Sequence, residues 1–161
     1  MTQLIGVKLT DVSSTAQFRL GTIHEDYNGK RYKYVKYDDG TANLDLAAGD
    51  VVFYVDDTGY EANTVTADNS DATGQPIGAG VVLATVTDDA SYFWVQTRGL
   101  YSAINVALGG SAGDGDPLTV KAASDKGLTK AAEADSTGVY KDVCAVAIDA
   151  SAKDILCKFT D

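Results

Sequence analysis

The feature that most limits how this chain can fold is the length of its apolar runs. Almost every one is short, rich in β-branched residues and closed by Gly, Asp, Asn or Ser. Such runs suit buried or half-buried strands, because branched side chains pack well on a pleated surface and the flanking residues accept the conformations that end a strand. No window keeps apolar residues at i, i+3, i+4 and i+7 for more than about two turns, so an amphipathic helix has nothing to build on. The stretch "LGTIHEDYNGKRYKYVKY" predicts a hairpin from Leu20 to Tyr37, with Asn28-Gly29 supplying the positive φ angles of a type I′ turn. Further strands are expected at Val51 to Val55, Gly80 to Thr87, Tyr92 to Arg98, Leu118 to Lys121, Val143 to Ile148 and Ile155 to Phe159. The Ala-rich "LTKAAEADSTG" reads as a loop, part of the long polar stretch "ASDKGLTKAAEADSTGVYKD"; "TADNSDATGQPIGAG" reads as a second. A chain of 161 residues, 45% of them hydrophobic, is long enough to bury a core and fits one domain or two small fused lobes.

The chain also repeats itself. Tyr34-Val35 matches Trp94-Val95, Ala48-Gly49-Asp50 matches Ala112-Gly113-Asp114, and Val82-Leu83-Ala84 matches Ala145-Val146-Ala147, at nearly constant offset. Two copies of one β unit, over about 31–96 and 91–159, explain that spacing. Gly49, Asp50, Gly113 and Asp114 are then turn residues: Gly accepts φ angles closed to other residues, and Asp caps exposed amides with its carboxylate. The expected fold is all-β, a small β-barrel or two packed β lobes built from the duplicated strand and Gly-Asp turn, with little or no helix. Residues 17–161 form a single β domain, preceded at 1–16 by either an N-terminal arm or a first strand.

Charge and residue inventory narrow the chemistry. A net charge of −10 repels phosphate backbones and anionic lipid, so neither nucleic acid nor a membrane is the expected partner. The N-terminus has no basic segment followed by a continuous apolar stretch, and the expectation is a protein made and kept in a cytoplasm. Cys144 and Cys157 lie in apolar strand-like runs and read as buried free thiols, on one face of the last hairpin. The single histidine, His24, excludes a His-rich metal site within one chain and reads as a solvent-facing strand residue. The acidic clusters "DDG", "VDDTG", "ADNSD" and "GDGD" lack the spacing of a twelve-residue calcium loop and read as turn chemistry. "GGSAGD", Gly109 to Asp114, resembles a glycine-rich calcium nonapeptide but stands alone, where that motif needs a tandem array. With no phosphate-binding glycine loop either, the reading is of a protein without catalytic residues, metal or cofactor. One basic stretch, "KRYKYVKY", interleaves Lys30, Arg31, Lys33 and Lys36 with tyrosines, and the pattern fits a solvated strand face or a surface that docks on an acidic protein.

The order of the phrases carries a resemblance. "YFWVQTRG" places Tyr92, Trp94, Val95, Gln96 and Gly99 in a Tyr-x-Trp-Val-Gln-x-x-Gly pattern; Ala112, Gly113 and Asp114 precede Pro117-Leu118; and Val143 to Ala150 supplies a final strand. In these features the chain, from Gln17 onward, resembles the tailed-bacteriophage capsid decoration, or cement, proteins. The chain departs from that pattern at Ala145, where a Gly is usual, at Asp149, where a Glu is usual, and by the inserted Gly115-Asp116. The resemblance implies a non-enzymatic virion protein on the outer capsid surface, made in the bacterial host cytoplasm. Its partners would be the major capsid protein and itself, most often as a homotrimer, and bridging of capsid subunits would stabilise the shell. Candidate contacts on this reading are Leu4, Ile5, Val7 and Lys8 in the N-terminal segment, with Lys30, Arg31, Lys33 and Lys36. The alternative is a capsid spike or fibre module that binds host-surface glycans through Tyr92, Trp94 and Tyr101.

Overall fold

The computed structural model describes residues 6–55, 60–68, 76–121, 126–131 and 142–161. Ten strands form one continuous sheet: β1 (Ile23–Glu25), β2 (Arg31–Tyr37), β3 (Val51–Tyr54), β4 (Thr64–Thr66), β5 (Gly78–Val82), β6 (Tyr92–Tyr101), β7 (Pro117–Val120), β8 (Leu128–Lys130), β9 (Ala145–Asp149) and β10 (Asp154–Lys158). About 40% of the described residues are strand and 2% helix, so the all-β reading holds.

Five strands close a barrel. β2 pairs with β4 in parallel, and β4–β3, β3–β5, β5–β6 and β6–β2 are antiparallel. The second half of β6 leaves the barrel and pairs with β10, and the sheet continues through β9 and β7 to β8. This second set reproduces the first, with β6 to β10 in the places of β2 to β6. Even the closing parallel contact recurs: Lys36 and Tyr37 pair with Thr64 and Val65 in the first unit, and Gly109 forms a parallel bridge with Thr129 in the second. Strand β6 is the longest because it ends one unit and begins the next.

The two units stand back to back. Val52 and Tyr54 of β3 point into the core of the first barrel, with Val35, Tyr37, Phe93 and Val95, while Val51 and Phe53 join Leu118, Leu128, Ile155 and Phe159 in the second core. Strands β3 and β5 are therefore buried on both faces, which is why "VVFY" is apolar without alternation. A third cluster lies outside the first barrel, where Tyr32, Tyr34 and Trp94 are covered by Val7, Leu9, Phe18 and Leu20 of the N-terminal segment. That segment crosses the outer face of β2 and β6, tied by the Ser13–Tyr92 bridge and by the Gln17 amide donating to the Tyr34 hydroxyl at 3.1 Å.

Several local expectations are corrected. In the first hairpin only Gly29 has positive φ; Asn28 does not, and the Gly29 amide donates to Asp26 O. The turn is therefore the three-residue kind closed by a left-handed Gly, because Asp26 Oδ1 accepts from the Asn28 and Lys30 amides and holds the preceding residues in a right-handed turn. The strand expected at Gly80 to Thr87 begins earlier, at Gly78, and ends at Val82, with Val86 retained only in an isolated bridge to Leu46. "LTK", read as loop, is strand β8, and β4 was not expected at all. The basic strand β2 has no solvated face, since one side enters the barrel and the other lies under the N-terminal segment. His24 is half-buried, its ring 6.1 Å from Tyr32 and 6.2 Å from Trp94, rather than solvent-facing. Much of the two polar loops, at 69–75, 122–125 and 132–141, lies outside the described residues, as does most of "VDDTG".

Candidate functional site

The "YFWVQTRG" phrase builds the joint between the units. The Gln96 amide is buried and donates from Nε2 to Gly99 O at 3.2 Å and Leu100 O at 3.1 Å, bracing the strand where it passes from β5 to β10. Gly99 adopts φ +93°, and a Cβ there would meet Lys30 Cγ at 2.9 Å. Trp94 is 1% exposed, packed against Tyr34 at 5.1 Å and Phe18 at 5.4 Å between ring centroids. The residues of the motif thus shape and seal the sheet.

The paired turns are equivalent in hydrogen bonding, though in a register two residues away from the one that sequence matching suggests. Gly49 N donates to Val82 O and Val82 N to Asp50 O, at 2.9 and 2.8 Å; Gly115 N donates to Ala147 O and Ala147 N to Asp116 O, at 2.8 and 3.0 Å. Asp50 accepts from Ala47 N at 2.9 Å, as Asp116 does from Gly113 N at 2.8 Å, and both glycines have positive φ. Asp116, not Asp114, is the counterpart of Asp50; the adjacent Gly-Asp pairs look alike in sequence, and only the ladder distinguishes them. Asp114 accepts instead from Ala150 N at 2.8 Å, and Gly113 supplies the capped amide.

The two carboxylates differ in setting. Asp50 is buried where the units meet: Asn105 Nδ2 donates to it at 2.7 Å, Lys126 Nζ lies 3.8 Å away, and the Asn105 amide donates to Gly49 O. Asp116 is at the surface with Lys130 at 2.9 Å; the Gly113 amide first, then Lys130, holds its carboxyl below the ordinary range. No sequence signal links Asn105 to Asp50, because they lie in different units.

The eight contact candidates do not share one face. Leu4 and Ile5 lie outside the described residues. Val7 packs on the aromatic cluster, and Lys8 is exposed and pairs with Asp11 at 2.9 Å. Lys30 and Lys36 are half-buried, and Arg31 forms ion pairs with Glu25 at 3.0 Å and Asp161 at 2.9 Å. Lys33 is only 5% exposed; its ammonium donates to the Tyr54 hydroxyl at 2.9 Å and lies over the rings of Tyr54 and Tyr60. It borders an open cleft of about 650 Å³ that Arg19, Asn63 and Asp161 also line. Burial pushes its pKa down, with Asp161 acting weakly the other way.

Cys144 and Cys157 are free and buried in the second core, where desolvation pushes both thiols up, Cys157 to about 12. Such thiols are poor nucleophiles at neutral pH. Among the described residues one carboxylate group could hold a cation, Asp38 with Asp39 and Asp89. Partial desolvation and then the charges of Asp89 and Asp38 raise the Asp39 pKa, and Asp38 caps the Gly40 amide as the turn reading of "DDG" expects. The architecture is a closed five-stranded β-barrel that continues through β6 into a second set of strands with the same pairing order. No family model, curated protein or solved structure matches this chain.

Proposed function

We propose that this chain is a capsid decoration protein: a non-enzymatic component that binds the outer surface of a phage shell as a small oligomer and stabilises it by bridging capsid subunits. The observation that carries the reading is where the resembling phrases fall. Tyr92 to Gly99 forms the shared strand and its joint, Ala112 to Leu118 forms the second capped turn and the start of β7, and Val143 to Ala150 forms β9 with its flanks. The likeness is therefore to the residues that determine the fold rather than to scattered surface positions. A barrel packed back to back with a second core also presents a stiff body, which suits a clamp, since binding then orders few side chains. Repetition of the site over a symmetric shell turns modest affinity per contact into large total stabilisation.

The glycan alternative loses its best residue, because Trp94 is sealed beneath Phe18 and offers no ring face to a sugar. The deciding experiment is quantitative mass spectrometry of purified particles. Copy number at parity with the major capsid protein, or at a simple lattice fraction of it, is expected; a handful of copies would favour a spike or fibre module, and absence would overturn the reading.

A further inference from the structure

The repeat exposes an asymmetry. On the first unit the outer face of β2 and β6 is covered by the N-terminal segment. On the second unit no described segment covers the corresponding face of β6 and β10, yet that face is apolar. Leu100 lies opposite Leu156, Leu156 opposite Val146, and Val146 opposite Pro117, a row across four strands. Their strand neighbours Tyr101, Ile155, Ala147 and Leu118 point into the second core, so alternation places the row outside. Leu100 is 44% exposed, and Ile148, beside the row where the β9–β10 ladder shifts register, is 48% exposed.

The two sides of the row carry opposite charge. Arg98 pairs with Lys158 across β6 and β10 two residues along the strands on one side, and Asp149 with Asp154 across β9 and β10 on the other. Like charges directly across a ladder repel, so each pair gains from a partner of opposite sign. Neither Arg98 nor Lys158 forms an ion pair with a described residue. Asp149 accepts from Ser151 and Ala152 and Asp154 accepts from Ala103, which orients their carboxylates. Lys153, between them, turns its amine to Asn105 O.

We propose that this face is a twofold interface between two copies of the chain, packed sheet on sheet with their β10 strands antiparallel. Arg98 and Lys158 of each copy then lie over Asp149 and Asp154 of the other, and the apolar rows cross at Leu100 and Leu156. A row with a basic side and an acidic side is complementary to a copy whose strands run in the opposite direction, whereas a uniformly acidic or basic partner would match one side and repel the other. The twofold closes the assembly at two, in place of the threefold arrangement that the family resemblance implies. This inference does not rest on the capsid reading; failure of shell binding with an intact dimer would leave it standing.

Sedimentation velocity on the full chain tests it, with a dimer expected at about 100 μM, where micromolar affinity saturates. Leu100→Glu places two carboxylates near the axis and weakens association by roughly a hundredfold or more while the thermal midpoint of the monomer is kept. Should that variant unfold, Arg98→Asp combined with Lys158→Asp gives the same readout from outside the apolar row. Leu100→Cys forms a covalent dimer under mild oxidation, since the native thiols are buried. A monomer or trimer in the wild type, a folded Leu100→Glu that still dimerises, or a Leu100→Cys that does not cross-link would overturn the proposal.

Discussion

Asp50 and Asp116 make the same bond to an amide three residues back, and their surroundings decide what each is worth. Replacing Asp50 with Ala leaves the Asn105 amide and the Ala47 N–H without their acceptor in a part-buried site. The expected loss is about 1–3 kcal/mol, and Asp116→Ala loses less because solvent replaces the carboxylate. Urea denaturation of the two variants checks this, and equal losses would contradict it. Lys33 is the opposite case, a charge held among aromatic rings with a phenol as its hydrogen-bond partner. Its lowered folded pKa means that protonation costs stability in the native state, so stability rises as pH climbs from the folded value toward the unfolded value of about 10.4. Lys33→Met keeps the length and removes the charge. Stability at pH 7 should stay within about 1 kcal/mol of wild type or rise, and the alkaline increase should vanish. A loss above about 3 kcal/mol would mean that the ammonium itself holds the barrel end.

Strand β5 shows what an element must give up to be buried on both faces. Gly80, at φ +155°, has Gln96 O and the Val95 side chain 2.9 Å from where a Cβ would sit, so the absence of a side chain is what lets β5 approach β6. Gly80→Ala should therefore cost about 1–3 kcal/mol through overpacking. Its thermal midpoint falls while Gly29→Ala, at an open turn with no atom within 4 Å of the added carbon, loses less through backbone strain alone. Comparable midpoints for the two variants would show that β5 has room to move. The N-terminal segment is the reverse type of element: it makes few backbone pairs and is held by side chains pressed on Tyr32, Tyr34 and Trp94.

For the whole molecule, the decisive fact is that the units share β6 and also share β3 and β5 between two cores. Neither core can open without exposing apolar groups of the other, so the protein should unfold in a single transition rather than unit by unit. Trp94 reports on the first unit and Cys144 and Cys157 on the second. Thiol labelling and the fluorescence shift should coincide along a urea titration, and labelling that precedes the shift would show the second unit opening independently.

Much of this was legible because turns and buried strands are local chemistry. Gly and Asp mark where the chain reverses, and the apolar runs with the hairpin turn mark eight of the ten described strands and the all-β class. The three-residue strands β4 and β8 left no such mark, since "TVT" and "LTK" become strands only where β3 and β7 offer them ladder partners. The candidate site was less legible than the fold. The basic tyrosine-rich strand reads as surface, yet Lys33 is buried against Tyr54 and Tyr60, and Tyr32 and Tyr34 lie under the N-terminal segment. By itself the sequence determined the all-β class, most of the strands and the places where the chain turns, because each follows from residues within a few positions of one another. Only the tertiary structure decided that Asp116 is the partner of Asp50 in the repeat, that one strand serves two units, and which outer face no described segment covers. Those depend on pairing between residues far apart in the chain, and local propensity carries no information about which strand will lie alongside.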